Sequence, residues 1–228
     1  MMDRYDSILD IVGPAMIGPS SSHTAGAVRL GLAACSILNE KPLKVNIHLY
    51  NSFANTGAGH GTHKALLAGL LGLPPSSEKI CIADKLAHNE NIKFKFFNNK
   101  LPNDYPPNTV KFEMSSKNWD IEVIGVSIGG GLINILEIDG FEVNISAEYE
   151  TLIVTHKDKI GILAEVLTIL SKEKINVVSI ESVRHNKIDD VKTVITVDNI
   201  LTEHIRTLIK PLKHIVRVRI IHKIQELW

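Results

Sequence analysis

Residues 150–172, ETLIVTHKDKIGILAEVLTILSK, set the reading of the fold. Glu150–Thr155 is a short apolar run between polar residues, the pattern of a buried strand, and Ile162–Lys172 places Leu163, Val166, Leu167 and Leu170 on one helical face. Outward from there the pattern continues with strands at Asn176–His185 and Lys192–Asp198 around a hairpin turn at residues 186–190. A second helix at Thr202–Ile209 and a last strand at Ile215–His222 complete it. Strand, helix, strand, strand, helix, strand is the order of a ferredoxin-like split βαβ unit. A unit of that kind is a domain by itself, so a boundary is expected near residue 147, dividing the chain into 1–147 and 148–228.

The first part reads as α+β. A short apolar segment at Ser7–Val12 stops at Gly13-Pro14, and the polar loop Gly18–Thr24 opens a helix over Ala25–Leu38, with Ser22 or Thr24 as its cap. Lys44–Tyr50 alternates Val45, Ile47 and Leu49 with polar residues, as a half-buried strand does. A glycine-rich turn, Asn55–His63, leads into a helix over Lys64–Leu71, and a short helix over Glu78–Ala87 follows. Ile92–Phe97, Thr109–Met114, Ile121–Ser127 and Leu132–Ile138 alternate as strands. Asp139-Gly140 reads as a turn, with a polar stretch to Glu148 after it.

Composition narrows the function. At 228 residues, 22% charged and 44% hydrophobic, the chain has apolar material for one large core or two small ones. Twenty-five basic residues balance twenty-five acidic ones, so the field that draws a protein to nucleic acid or anionic lipid is missing. Two cysteines, Cys35 and Cys81, each among apolar neighbours, read as buried or inert, and they cannot complete a zinc or iron–sulfur site alone. The N-terminus has no basic start followed by an apolar run, and no stretch approaches the roughly 20 apolar residues of a membrane helix. A soluble cytoplasmic protein is expected.

Two polar loops, each at a helix start, are the candidate chemistry. In GPSSSHT, residues 18–24, three consecutive hydroxyls and an imidazole precede a helix, where free N–H groups and the helix dipole favour an anion. Helix capping needs only one hydroxyl, so anion binding and capping both stand as readings. The spacing fits neither a phosphate-binding P-loop nor a Gly-x-Ser-x-Gly elbow. In GAGHGTH, residues 57–63, His60, Thr62 and His63 sit among glycines, as an acid, base or ligand or as a solvated turn capped by Thr62. The Gly-x-Gly-x-Gly spacing is not that of a dinucleotide-binding turn. Gly129-Gly130-Gly131 reads as a bulge or as a place of close backbone approach. In His156–Gly161, Asp158 is a candidate cap for the following helix, and Gly161 with the exposed helix start suits a small amino acid's carboxylate.

Together GPSSSHTAG (18–26), GHGTH (59–63), SIGGG (127–131) and the C-terminal βαββαβ unit resemble the beta subunit of iron–sulfur-dependent L-serine dehydratase, over almost the whole chain. The resemblance implies an N-terminal domain similar to the allosteric substrate-binding domain of certain phosphoglycerate dehydrogenases, and a C-terminal ACT domain. It implies conversion of L-serine to pyruvate and ammonia, in amino-acid metabolism and gluconeogenesis, with a [4Fe–4S] cluster. Such a cluster needs three cysteine ligands, so it is expected on a cysteine-rich alpha subunit, with no metal on this chain and activity only in the heteromeric complex. Carried over by motif, Ser20, Ser21, Ser22, Thr24 and Thr62 are implied to bind substrate, and His60 and His23 to be catalytic, with His60 the first candidate for proton handling. Asp158, Ile160 and Gly161 are implied to meet an effector, and beta chains to pair with one another. The family usually has aspartate where this chain has His63, and ACT domains usually have proline where it has Ile160.

Two other classes compete. A non-catalytic module that binds an amino acid through its ACT domain would bind serine without an iron–sulfur partner. A serine hydrolase built on Ser21 or Ser22 with His23 would need an acid to orient the histidine, and none is evident in the sequence.

Overall fold

A computed structural model describes residues 15–57, 59–99, 105–184 and 190–224. The segment Ser7–Val12 and most of the turn at 186–190 lie outside them. A π-helical turn, Ser21–Gly26, runs directly into α1, Ala27–Leu38. Then come β1 (Lys44–Tyr50), α2 (Asn51–Thr56), α3 (Thr62–Leu70), a 3₁₀ turn (Glu78–Ile82), α4 (Ala83–Asn89) and β2 (Lys93–Asn99). Four antiparallel strands follow: β3 (Thr109–Ser115), β4 (Asp120–Gly129), β5 (Leu132–Ile138) and β6 (Phe141–Ile145). They form one sheet in the order β2-β1-β3-β4-β5-β6, with β1 and β2 parallel across the helical crossover.

Two expectations need correction here. The stretch after Asp139-Gly140 is not merely polar: Phe141, Val143 and Ile145 point inward and form β6. Asp139 and Gly140 have φ of 52° and 78°, the positive pair that a two-residue hairpin turn requires. A helix, α2, lies between β1 and the glycine-rich turn, buries Phe53 and takes in Asn55 and Thr56, the first two residues of that turn.

α1 and α3 cross with their backbones almost touching. A Cβ on Gly31 would lie 2.4 Å from the Leu66 carbonyl oxygen, and one on Gly69 would lie 2.0 Å from that of Val28. Only glycines permit that approach. It lets Val28, Leu30, Ala33, Ala34 and Ile37 bury against Val45, Ile47, Val110, Phe112 and Val123 of the sheet.

The second unit comprises β7 (Glu150–Lys157), α5 (Ile162–Lys172), β8 (Val177–Arg184), β9 (Asp190–Val197), α6 (Glu203–Ile209) and β10 (Ile215–Ile221), in the sheet order β10-β7-β9-β8. This is the ferredoxin-like arrangement, with all neighbours antiparallel. Leu152, Val154, Ile195, Val197 and Ile220 pack against Val166, Leu170, Ile205 and Ile209 of its helices. Its other face packs onto the first unit, where Ile153, Val194 and Ile221 join the larger core. Burial on both faces explains the apolar runs of β7 and β9.

Charge as well as oil crosses this junction. Lys192, 1% exposed, donates to the Ile138 carbonyl at 2.8 Å and lies 3.3 Å from Asp139 Oδ2, which also receives Arg219 Nη2 at 3.2 Å. Burial lowers the Lys192 ammonium to about 8 despite Asp139. Asp139 itself, although burial opposes ionisation, is held below its usual value by Lys192 and Arg219. Cys35 is half-buried, which raises its thiol, and Cys81 is exposed on the 3₁₀ turn, so of the expected alternatives, buried or inert, full burial holds for neither.

Candidate active site

The serine loop is not a loop. Ser20 is the N-cap, its Oγ accepting from the His23 backbone N–H at 3.3 Å, and Ser21–Gly26 winds as a π-helical turn, a form common at functional positions. The expected cap, Ser22 or Thr24, is displaced because Thr24 turns inward and is 2% exposed. Two tight approaches hold the turn: a Cβ on Gly26 would lie 2.1 Å from Ser127 Oγ, and one on Gly18 would lie 2.2 Å from Thr24 Oγ1. The triple glycine ends β4 in a bulge and a turn, and the Gly131 carbonyl accepts from the buried Arg29 at 2.8 Å.

His23 is the centre of the arrangement. Its ring lies 4.8 Å from that of His60, centroid to centroid, and 5.2 Å from Phe53. Nδ1 is 3.4 Å from Ser20 Oγ, while Nε2 is 3.0 Å from Thr56 Oγ1 and 3.3 Å from Ser52 Oγ. Burial lowers its proton affinity first and the neighbouring His60 second, so it is a neutral base near pH 7. Four buried polar atoms here, Thr24 Oγ1, His60 Nδ1, Thr62 Oγ1 and Ser127 Oγ, have no partner in the protein. Leaving such a group unmade costs about 1–3 kcal/mol, a cost that folds accept at ligand sites.

The structure thus brings Ser20, His23 and His60 together, while Thr24 and Thr62 are buried and Ser21 and Ser22 are half-buried on the turn. His63 is elsewhere: its ring packs edge-on against Phe96 at 4.4 Å, and burial lowers its proton affinity. Asp158, Ile160 and Gly161 share the β7–α5 loop in the second unit. Asp158 is not the helix cap, because Arg184 Nε holds its carboxylate at 2.7 Å and Gly161, with φ of 91°, takes the cap position. Ile160 is fully exposed.

Ser52 and Thr56 were not among the candidates. Their signal was a hydroxyl pair at i and i+4, which one helical turn places on one face; recognising it required knowing that Asn51–Thr56 is helical. The hydrolase arrangement is absent, since the hydroxyl beside His23 Nδ1 belongs to Ser20 and hydroxyls rather than a carboxylate face Nε2. No group of three His, Cys, Asp or Glu among the described residues could hold a metal ion. The donors around His23 are hydroxyls and imidazoles, which do not fit an iron–sulfur cluster held by thiolates on this chain. Among the described residues no helix is long and apolar enough to cross a membrane.

Residues 7–137 match the family described as serine dehydratase beta chain, and residues 151–214 match the ACT domain. The chain is 39% identical over 217 residues to the probable L-serine dehydratase, beta chain, of Bacillus subtilis, covering 94% of this chain and 97% of that protein. Identity to the L-serine dehydratase, beta chain, of Peptoniphilus asaccharolyticus is 36% over 205 residues, covering 89% and 92%. The L-serine dehydratase of Helicobacter pylori strain 26695 is 32% identical over 154 residues, covering 55% of this chain and 34% of that protein.

Proposed function

Because the chain belongs to the serine dehydratase beta chain family, we propose that it is the beta subunit of a two-chain L-serine dehydratase that forms pyruvate and ammonia in the cytoplasm. The observation that carries this reading is the set of unpartnered buried hydroxyls and the His60 nitrogen around the π-helical turn. Ser21 and Ser22, with the N–H groups at the start of the turn, receive the substrate carboxylate. His60 takes the α-proton. Serine loses water to give aminoacrylate, which tautomerises to the imine, and hydrolysis of the imine releases ammonia and pyruvate.

The [4Fe–4S] cluster belongs to a cysteine-rich alpha subunit in this reading. Two cysteines, one half-buried and one exposed, support placing it there. The ACT domain senses an amino acid at Asp158, Ile160 and Gly161 and pairs beta chains.

Anaerobic co-expression with the cysteine-rich partner, followed by pyruvate release from L-serine, tests the reading. Turnover is expected only when both chains are present. A partner fully active alone would reduce this chain to a regulatory module.

A further inference from the structure

Thr56 Oγ1 lies 2.9 Å from the Ser52 carbonyl oxygen and 3.0 Å from His23 Nε2. A carbonyl has no proton to give, so the Thr56 hydroxyl donates to Ser52, the back-bond that threonine makes to residue i−4 in helices. Only a lone pair of Thr56 then remains toward His23, and Nε2 must carry the proton. Ser52 Oγ, 3.3 Å from the same nitrogen, is a second acceptor for it. The Ser52 backbone also raises the proton affinity of the ring, as an acceptor near an N–H does.

With Nε2 protonated, the neutral ring keeps its lone pair on Nδ1, which faces Ser20 Oγ at 3.4 Å. Ser20 Oγ already accepts from the His23 backbone N–H at 3.3 Å, so its own proton is directed to Nδ1. One lone pair of Ser20 Oγ then remains.

We propose that Thr56 is a positioning residue that fixes His23 as the Nε2–H tautomer, and that Ser20 therefore meets the substrate as a hydrogen-bond acceptor, recognising the ammonium group of the amino acid. Carboxylate binding falls to Ser21 and Ser22, whose hydroxyl protons this relay does not use. Reversing the tautomer would turn Nδ1–H toward Ser20, make Ser20 present its proton outward and set it against an ammonium group. The substrate part rests on the serine dehydratase reading; the tautomer part does not.

Long-range ¹⁵N–¹H correlation of histidine side chains in the full chain reads the tautomer directly. His23, assigned by loss of its signals in H23A, is expected as Nε2–H in the parent and in T56S, and as a mixture or as Nδ1–H in T56V and more so in S52A/T56V. In the reconstituted complex, T56V is expected to raise the KM for L-serine about tenfold, the worth of one charge-assisted hydrogen bond. Inhibition by 3-hydroxypropionate, which lacks the amino group, should stay within about twofold, and T56S should behave as the parent. An Nδ1–H parent, an unchanged tautomer in S52A/T56V, or equal weakening of both ligands overturns the proposal. A complex with the expected tautomers and no serine turnover in any form, the parent included, overturns the dehydratase reading instead.

Discussion

His23 and His60 share one small volume, and the charge of His60 is felt at His23. Because burial and His60 together depress the proton affinity of His23, its contribution to stability is present above the ordinary imidazole value and is lost as pH falls through the lowered folded one. Replacing His60 with alanine removes one of the two depressing causes. H60A should therefore move the His23 titration, followed by NMR, upward toward the ordinary imidazole value; no movement, or a fall, would show that the rings do not interact. The same variant should cut serine turnover by about 10²-fold or more if His60 handles the α-proton, and a loss within twofold removes it from that role. Most of this site was legible as residues, since Ser20, Ser21, Ser22, His23, Thr24, His60 and Thr62 stand in two short motifs. What could not be read was orientation. The sequence does not say that Ser20 rather than Ser22 caps the turn, or that Thr24 faces inward, because the close approaches of Gly26 to Ser127 on β4 and of Gly18 to Thr24 exist only in the folded chain.

Among elements, the α1–α3 crossing has the least tolerance. Gly31→Ala gains up to about 1 kcal/mol of helix propensity but puts a methyl group against the Leu66 carbonyl at 2.4 Å, and overpacking against backbone costs about 1–3 kcal/mol. Urea denaturation should show G31A less stable than the parent, and a gain in stability would mean that the helices part without cost. Long alternating strands such as β1 and β3 were legible because one face is buried and the other is wet. β6 has the same alternation over only five residues, and its hairpin turn was recognised without the strand beyond it. α2 was hidden because Asn, Ser and Thr, poor helix formers, fill four of its six positions, and its helix rests on burial of Phe53 against the sheet.

The two units meet through a carboxylate shared by two buried cations, an unequal arrangement with a measurable signature. Asp139→Asn leaves Lys192 and Arg219 together without their counter-charge and should cost about 3–5 kcal/mol, whereas Lys192→Met leaves a balanced Asp139–Arg219 pair and should cost much less. Equal losses in urea denaturation would contradict this accounting. The pH dependence has a definite sign. Lys192 ionises at about 8 when folded, so its contribution is fully present above the unfolded value of about 10.5 and falls as pH drops through about 8. The parent should therefore gain stability relative to K192M between pH 8 and pH 10. Asp139 titrates below its usual value, so its own contribution is present above that usual value and is lost in acid as pH falls through the lowered one. The residue that answers both cations also supplies the first position of the β5–β6 turn, and its Oδ1 receives the Glu122 N–H at 3.0 Å. The C-terminal unit is consequently not an interchangeable cassette: an ACT domain transplanted from another protein would need its own cations at the positions of Lys192 and Arg219, or the graft would strand Asp139 in the seam between the two halves.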